Sequence, residues 1–210
     1  MTTTDSTHSA LPSIGIIGAG QIGSAIARTL SRHGIPATLA NSRGADSLAE
    51  TIADIGPGIM AGTREEAASK DIVFVAVNWS RLPAAMAGLP DFGGRIVVDT
   101  NNSIEAPLFK PADLGGRTST AIFADMVSGA RVVKAFNHLQ AALLAADPTH
   151  AGGKRVLFYS GDDAQAKAEV GSLIDRLGFF GIDLGSLALG AQLVQFPGGP
   201  LPALNLVKFG

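Results

Sequence analysis

The chain has 210 residues, 46% of them hydrophobic and 16% charged, with a net charge of −2. That balance supports a well-buried core and excludes a disordered or coiled-coil protein, and the lack of an evident basic face argues against nucleic acid or an anionic membrane as partner. There is no cysteine, so disulfides, iron–sulfur clusters and thiolate nucleophiles are excluded.

Positions 1–13 are polar and rich in Thr and Ser, without the basic start and apolar core of a secretory signal. They read as a disordered tail. No apolar run is long enough to span a bilayer, and the expected compartment is the cytoplasm. From Ile14 onward, short apolar runs alternate with amphipathic stretches, which predicts an α/β fold with a doubly wound, mostly parallel sheet. The predicted order is a strand at Ile14–Ile17, a helix closed by Gly34, a strand at Ala37–Ala40, and a helix over Ser47–Ile55. A short strand at Ile59–Gly62 and a brief helix at Arg64–Ser69 follow. Asp71–Val77 is apolar on both faces, as a central parallel strand should be. A helix at Leu82–Leu89 then leads to a strand at Arg95–Asp99. The second half repeats the style, with strands at Arg131–Phe136, Arg155–Ser160 and Phe180–Leu184. Its helices fall at Ser119–Val127, Leu139–Ala146 and Asp163–Leu177. We expect one domain over 14–210, a nucleotide core at about 14–102 and an extension at about 103–210 that carries on the same sheet.

The first strand runs directly into Gly18-Ala19-Gly20-Gln21-Ile22-Gly23, which opens a helix. Gly-x-Gly-x-x-Gly alone is a weak signal, but between a strand and a helix it marks a dinucleotide loop. Gly18 permits the tight turn, Gly20 lets a pyrophosphate approach the backbone, and Gly23 lets helix and strand pack closely. The anion then rests on free N–H groups at the positive helix end. At the end of the second strand, where NAD-binding folds usually carry an acid, the sequence reads Asn41-Ser42-Arg43. No carboxylate repels a 2′-phosphate there, and Arg43 offers it a guanidinium fork, so NADP(H) is expected rather than NAD(H). The same residues would also serve as a solvated turn, with Ser42 as a helix cap.

Ligands in such sheets lie beyond the carboxyl ends of the strands. After the fourth strand, Ala76, Val77 and Asn78 are candidates to line the nicotinamide ribose. After the fifth, Asn101 and Asn102 read equally as hydrogen-bond partners of ribose or carboxamide and as turn residues. Trp79 reads as a stacking wall or as plain packing. Of four histidines only His138 follows a strand end. It is a candidate proton donor, although a surface helix-start role suits it better. No metal-ligand set and no Gly-x-Ser-x-Gly elbow is present, so neither a metal site nor a hydrolase is expected. Hydride passing between two bound rings needs little proton transfer from protein, but it needs close positioning. Pro197, Gly198 and Gly199, in a stretch rigid at its prolines and open at its glycines, are candidates for a second-substrate pocket with Trp79, Asn137 and His138.

Several pieces together resemble the NADP oxidoreductases that use the 5-deazaflavin coenzyme F420. They are Gly15-Ile16-Ile17 leading into the glycine loop, the Asn41-Ser42-Arg43 turn, Val132-Val133-Lys134-Ala135-Phe136-Asn137, Gly161-Asp162-Asp163, and Leu177-Gly178-Phe179 with Ile182-Asp183-Leu184-Gly185. The resemblance implies hydride transfer between NADP(H) and the deazaflavin, a deazaflavin pocket near Asn137 and the C-terminal region, and a homodimer. Asn137 stands where some members carry His, and the C-terminal Phe196-Pro197-Gly198-Gly199-Pro200 stretch departs from the archaeal members. Membrane ferric reductases of the STEAP type share a similar nucleotide domain and use an ordinary flavin. Reduction of a flavin, a quinone or another acceptor therefore stays open as an alternative, as does a non-catalytic NADP(H) sensor. Imine and β-hydroxyacid reductases share the loop but usually add a helical domain, whereas this chain returns to strand–helix alternation.

Overall fold

The computed structural model describes residues 12–105 and 109–210. In chain order the first half comprises β1 (Ile14–Ile17), α1 (Gln21–Arg32), β2 (Ala37–Ala40), α2 (Ala49–Ile55), β3 (Ile59–Ala61), α3 (Arg64–Ala68), β4 (Ile72–Val75), α4 (Leu82–Met86) and β5 (Ile96–Asp99). The second half adds β6 (Ile104–Glu105), β7 (Lys110–Pro111), α5 (Ser119–Ala124), β8 (Arg131–Ala135), α6 (Ala141–Ala145), β9 (Thr149–His150), β10 (Gly153–Gly161), α7 (Ala164–Arg176), β11 (Phe180–Asp183), α8 (Leu187–Leu193) and β12 (Val207–Lys208).

The main sheet runs β11-β10-β8-β5-β4-β1-β2-β3. From β3 to β8 every pairing along it is parallel, giving the expected Rossmann-type, mostly parallel α/β fold. The order reverses between β1 and β4, and such a switch point opens a crevice at the carboxyl ends of the strands. Strand residues alternate between faces. Ile14, Ile16, Phe74 and Val98 pack with Ile26 of α1 and Val170 of α7. Ile17, Val73, Val75 and Val97 pack with Leu82 and Phe123 on the other side. Burial on both faces is why the β4 sequence reads as an unbroken apolar run.

Positions 1–11 of the expected tail lie outside the described residues. Its last position, Ser13, is tied down instead. Its N–H and hydroxyl donate to the Asp71 carboxylate at 2.8 and 2.7 Å, and its carbonyl accepts from Ile72 at 3.1 Å. The hydroxyl bond from Ser13 is the main reason the Asp71 carboxyl titrates below the ordinary carboxylate range.

Beyond β5 the sheet continues through β8, β10 and β11, with a change of direction. β10 is antiparallel to β8, with Tyr159 opposite Ala135 and Gly161 opposite Val133, and β11 follows parallel to β10. The connection from Ala135 to Gly153 is long enough for a parallel crossover, so its length does not set this direction. Its helix α6 lies against α1, where the Thr29 hydroxyl donates to the Leu144 carbonyl at 2.8 Å. This leaves the first half of β10 beyond the carboxyl end of β8, flanked by β9 and β12. There Val156 and Phe158 form a small separate core with Val194 and the partly buried Phe180 and Leu201.

Candidate cofactor-binding site

The glycine loop follows β1 and is shaped by contacts that other residues would break. Gly18 has φ +113°, and a Cβ on it would lie 2.1 Å from the Ala76 carbonyl. A Cβ on Gly23 would lie 1.8 Å from the Gly18 carbonyl, so α1 starts directly against the loop. At Gly20 no atom stands within 4 Å of the Cβ position. Gly20 is also the N-cap of α1, which has no side-chain cap and no acid in its first turn. Unsatisfied N–H groups at such a helix start attract an anion. Open space, free donors and the missing acid all suit a pyrophosphate.

At the end of β2, Asn41 Oδ1 accepts from the Arg43 N–H at 2.8 Å, and its amide nitrogen donates to the Ser47 hydroxyl at 2.9 Å. Asn41 therefore shapes the turn, which leaves Ser42 and Arg43 exposed at its tip. After β4, the Ala76 N–H continues the sheet to the Ile17 carbonyl at 2.8 Å. The chain then leaves the sheet, so the expected strand to Val77 stops at Val75. These strand ends enclose a cleft of about 720 Å³. Gly18, Ala19 and Gly20 line its floor, Asn41, Ser42 and Arg43 one end, and Ala76, Val77 and Asn78 another side. Gln21, Ile22 and Gly23 begin the helix behind the loop and do not line the cleft.

Sequence reasoning missed a fourth wall made by Arg64, Arg81, Ala84 and Ala85. Arg64 is committed, donating to the Ala84 and Ala85 carbonyls at 3.1 and 2.9 Å. Arg43 and Arg81 have no ion-pair partner among the described residues. The only available hint was a cation a few residues past the end of β4, and such cations are common on surfaces. Among the described residues the lining carries three guanidinium groups and no carboxylate, histidine, lysine or tyrosine. Its charge suits a phosphorylated ligand, and it contains no group that exchanges a proton near neutral pH.

Asn101 and Asn102 sit near the cleft but spend their side chains internally. Asn101 Oδ1 accepts from the Val77 N–H at 3.0 Å, and its amide nitrogen donates to Asp99 at 2.8 Å. Asn102 exchanges two bonds with Asn137, at 2.9 and 3.0 Å. Both lace strand ends together through partners far along the chain, rather than acting as local turn residues.

Residues 13–103 match the family described as NADP oxidoreductase, coenzyme F420-dependent. A protein of Arthrobacter sp. FB24, described as a candidate F420-dependent NADP reductase, is 27% identical over 84% of this chain and 86% of its own, with a TM-score of 0.71. The match places the nucleotide half of the chain, residues 13–103, in this family. The hypothetical protein SMa0349 of Sinorhizobium meliloti is 48% identical, with a TM-score of 0.88, over 93% of this chain and 95% of its own. Metalloreductase STEAP3 of Rattus norvegicus is 30% identical over 195 residues, 91% of this chain but 38% of its own length. The family match ends near β5; the fold beyond it is what the Sinorhizobium protein shares.

The residues expected to form a second-substrate pocket are not brought into the cleft lining. Trp79 is half-buried and packs on the core beneath α4, as plain packing would have it. Asn137 lies under the C-terminal segment, donating to the Val194 carbonyl at 2.8 Å. Pro197, Gly198 and Gly199 follow that segment, held by a bond from the Gly199 N–H to the Gln195 carbonyl at 2.7 Å. Of the two glycines, Gly198 faces open space at its Cβ position and Gly199 is packed against the Leu193 carbonyl.

His138 is not the surface helix-start residue that its sequence position suggested. It is 3% exposed, its ring lies 4.8 Å from that of Phe158, and its carbonyl accepts from Ala203 at 2.7 Å. The projecting half of β10 and the C-terminal segment bury it. Neither ring nitrogen has a partner in hydrogen-bond geometry, and burial pushes its pKa down to about 4 against a weaker opposing pull from the Val156 backbone. A neutral, enclosed imidazole is no proton donor to the cleft. His138→Leu is expected to keep turnover within about tenfold, the lower limit of general acid–base effects being larger. The same variant tests linkage. The unfolded chain binds a proton below about pH 6.5, whereas the folded one refuses it until about 4. The contribution is thus fully present above pH 6.5 and is lost as pH falls toward 4, on the order of 3 kcal/mol. Denaturant midpoints of His138→Leu should fall less steeply than the parent's over that window; parallel profiles would contradict the assignment.

Proposed function

We propose that the chain transfers hydride between NADP(H) and a deazaflavin coenzyme of the F420 type. The observation that carries this reading is the character of the cleft, rich in phosphate-binding groups and devoid of proton donors and acceptors. Reduction of a carbonyl or imine ordinarily draws a proton from a positioned side chain, and this lining supplies none. Exchange between two flat rings asks the protein mainly for alignment and exclusion of water. In this reading the α1 N-terminus and Gly20 hold the pyrophosphate. Arg43 and Ser42 hold the 2′-phosphate, and the Ala76–Asn78 edge lies along the nicotinamide ribose. The family match over residues 13–103 supports the deazaflavin as the second ring. When bound, NADPH supplies the hydride.

The likeness to a metalloreductase favours a second reading, in which electrons pass to an ordinary flavin or another acceptor. Purified protein with NADPH and either oxidised deazaflavin or FMN separates the two by absorbance. The expected result is bleaching of the deazaflavin and little turnover of FMN. Turnover of FMN alone would transfer the function to the second reading. Nucleotide binding with neither reaction would leave a sensor.

A further inference from the structure

Beneath the cleft lies an ionic network that the proposed transfer does not use. Lys134 of β8 and Asp99 of β5 are both fully buried, with Nζ 3.0 Å from Asp99 Oδ2. That oxygen also accepts from the Thr120 hydroxyl at 2.8 Å. Asp99 Oδ1 accepts from the Asn101 amide nitrogen and backbone N–H at 2.8 and 3.0 Å. The Lys134 ammonium further donates to the Asn101 carbonyl. Asn101 is thereby gripped at both its backbone and its side chain. Its remaining side-chain atom, Oδ1, accepts from the Val77 N–H at 3.0 Å. Of these residues only Val77 lines the cleft, so the Val77 amide is where the network reaches it.

A buried ion pair contributes little net stability compared with well-packed apolar side chains, because both charges must leave water. Its benefit is geometric. Four hydrogen bonds around Asp99 fix the orientation of an Asn side chain, and that side chain fixes a backbone amide that has left the sheet. We propose that Lys134 is a positioning residue for the cofactor cleft, acting through Asp99 and Asn101 to hold the Val77 amide and with it the Ala76–Asn78 wall. The inference rests on the nucleotide reading above. Under that reading the wall serves the nicotinamide half, while Gly20 and Arg43 serve the adenosine and phosphate half.

The test compares two ligands. NADPH spans the whole cleft, whereas adenosine 2′,5′-bisphosphate reaches only the phosphate and adenosine end. In Asn101→Ala, which cuts the outlet and leaves the Lys134–Asp99 pair intact, the NADPH Kd should rise about tenfold, one well-made hydrogen bond's worth of positioning. The bisphosphate Kd should stay within about twofold. The neutral double variant Asp99→Asn/Lys134→Met should do the same, without leaving a buried charge unpaired. Trp79, the single Trp of the chain and two residues from Val77, gives a readout independent of any ligand. Its emission should shift to the red and be quenched more by acrylamide in both variants. Equal weakening of both ligands, or a lower melting temperature with Trp79 emission and the NADPH-to-bisphosphate ratio unchanged, would overturn the proposal and leave a purely fold-supporting network. If the parent protein binds neither ligand, the nucleotide reading itself fails, and this inference falls with it.

Discussion

In Gly20→Ala, NADPH binding is expected to weaken at least tenfold while the folded protein is almost unperturbed. The added methyl meets no atom within 4 Å, and the backbone at φ −81° is one that alanine adopts freely. Alanine is a poorer N-cap than glycine, so a stability loss below about 1 kcal/mol is the most the substitution should bring. What the methyl does occupy is the space that the pyrophosphate needs to reach the helix N–H groups. Gly23→Ala makes the contrast. There the methyl would lie 1.8 Å from the Gly18 carbonyl, so α1 must move away from the loop, and overpacking of that kind costs about 1–3 kcal/mol. Melting curves and NADPH titrations on the two variants separate the roles. Gly20→Ala should lose binding without losing stability, and Gly23→Ala should lose both. Unchanged NADPH affinity in Gly20→Ala would mean that the nucleotide does not cross this glycine.

The second large effect is expected at Arg43. Its side chain stands exposed at the cleft end, without an ion-pair partner among the described residues, and a 2′-phosphate would give it one. Hydrogen bonds to charged groups contribute about 1.5–3 kcal/mol, so Arg43→Ala should raise the NADPH Kd by roughly 10- to 100-fold. NADH lacks the 2′-phosphate, and its Kd should change by less than about threefold. Equal losses for both nucleotides would remove Arg43 as the selector. Raised salt should reproduce part of the NADPH effect in the parent, since an exposed charge pair is screened.

Much of the nucleotide half was legible along the chain because its signals are local. The glycine spacing, the strand before it and the helix after it lie in one continuous stretch, Ile14 to Arg32, and each glycine meets the constraint its place in the motif implies. The cation at the end of β2 was readable for the same reason, since a strand end and the turn after it are neighbours in sequence. Arg81 carried only the weak mark of a cation a few residues past the end of β4, and Arg64 carried none. Arg64 joins the cleft lining through α3, at whose start it stands.

The second half shows the opposite case. Strand–helix alternation in the sequence was enough to place β8, β10, α7 and β11, because hydrophobic periodicity reports which face of an element is buried. It is silent on strand direction, which depends on where the connecting segment packs. The segment that carries α6 docks on α1 and β10 returns antiparallel to β8, and the projecting half of β10 then encloses His138, a residue whose local sequence looks exposed. Asn101 and Asn102 likewise read equally as ligand partners and as turn residues until their partners 24 and 35 positions away were in place. The sequence alone determined the fold class, the phosphate loop and the absence of an acid at the β2 end, because each depends on residues close together in the chain. Tertiary structure decided which polar side chains are spent on one another and which remain for a ligand, because burial and hydrogen-bond partnership across strands are set by distant segments meeting.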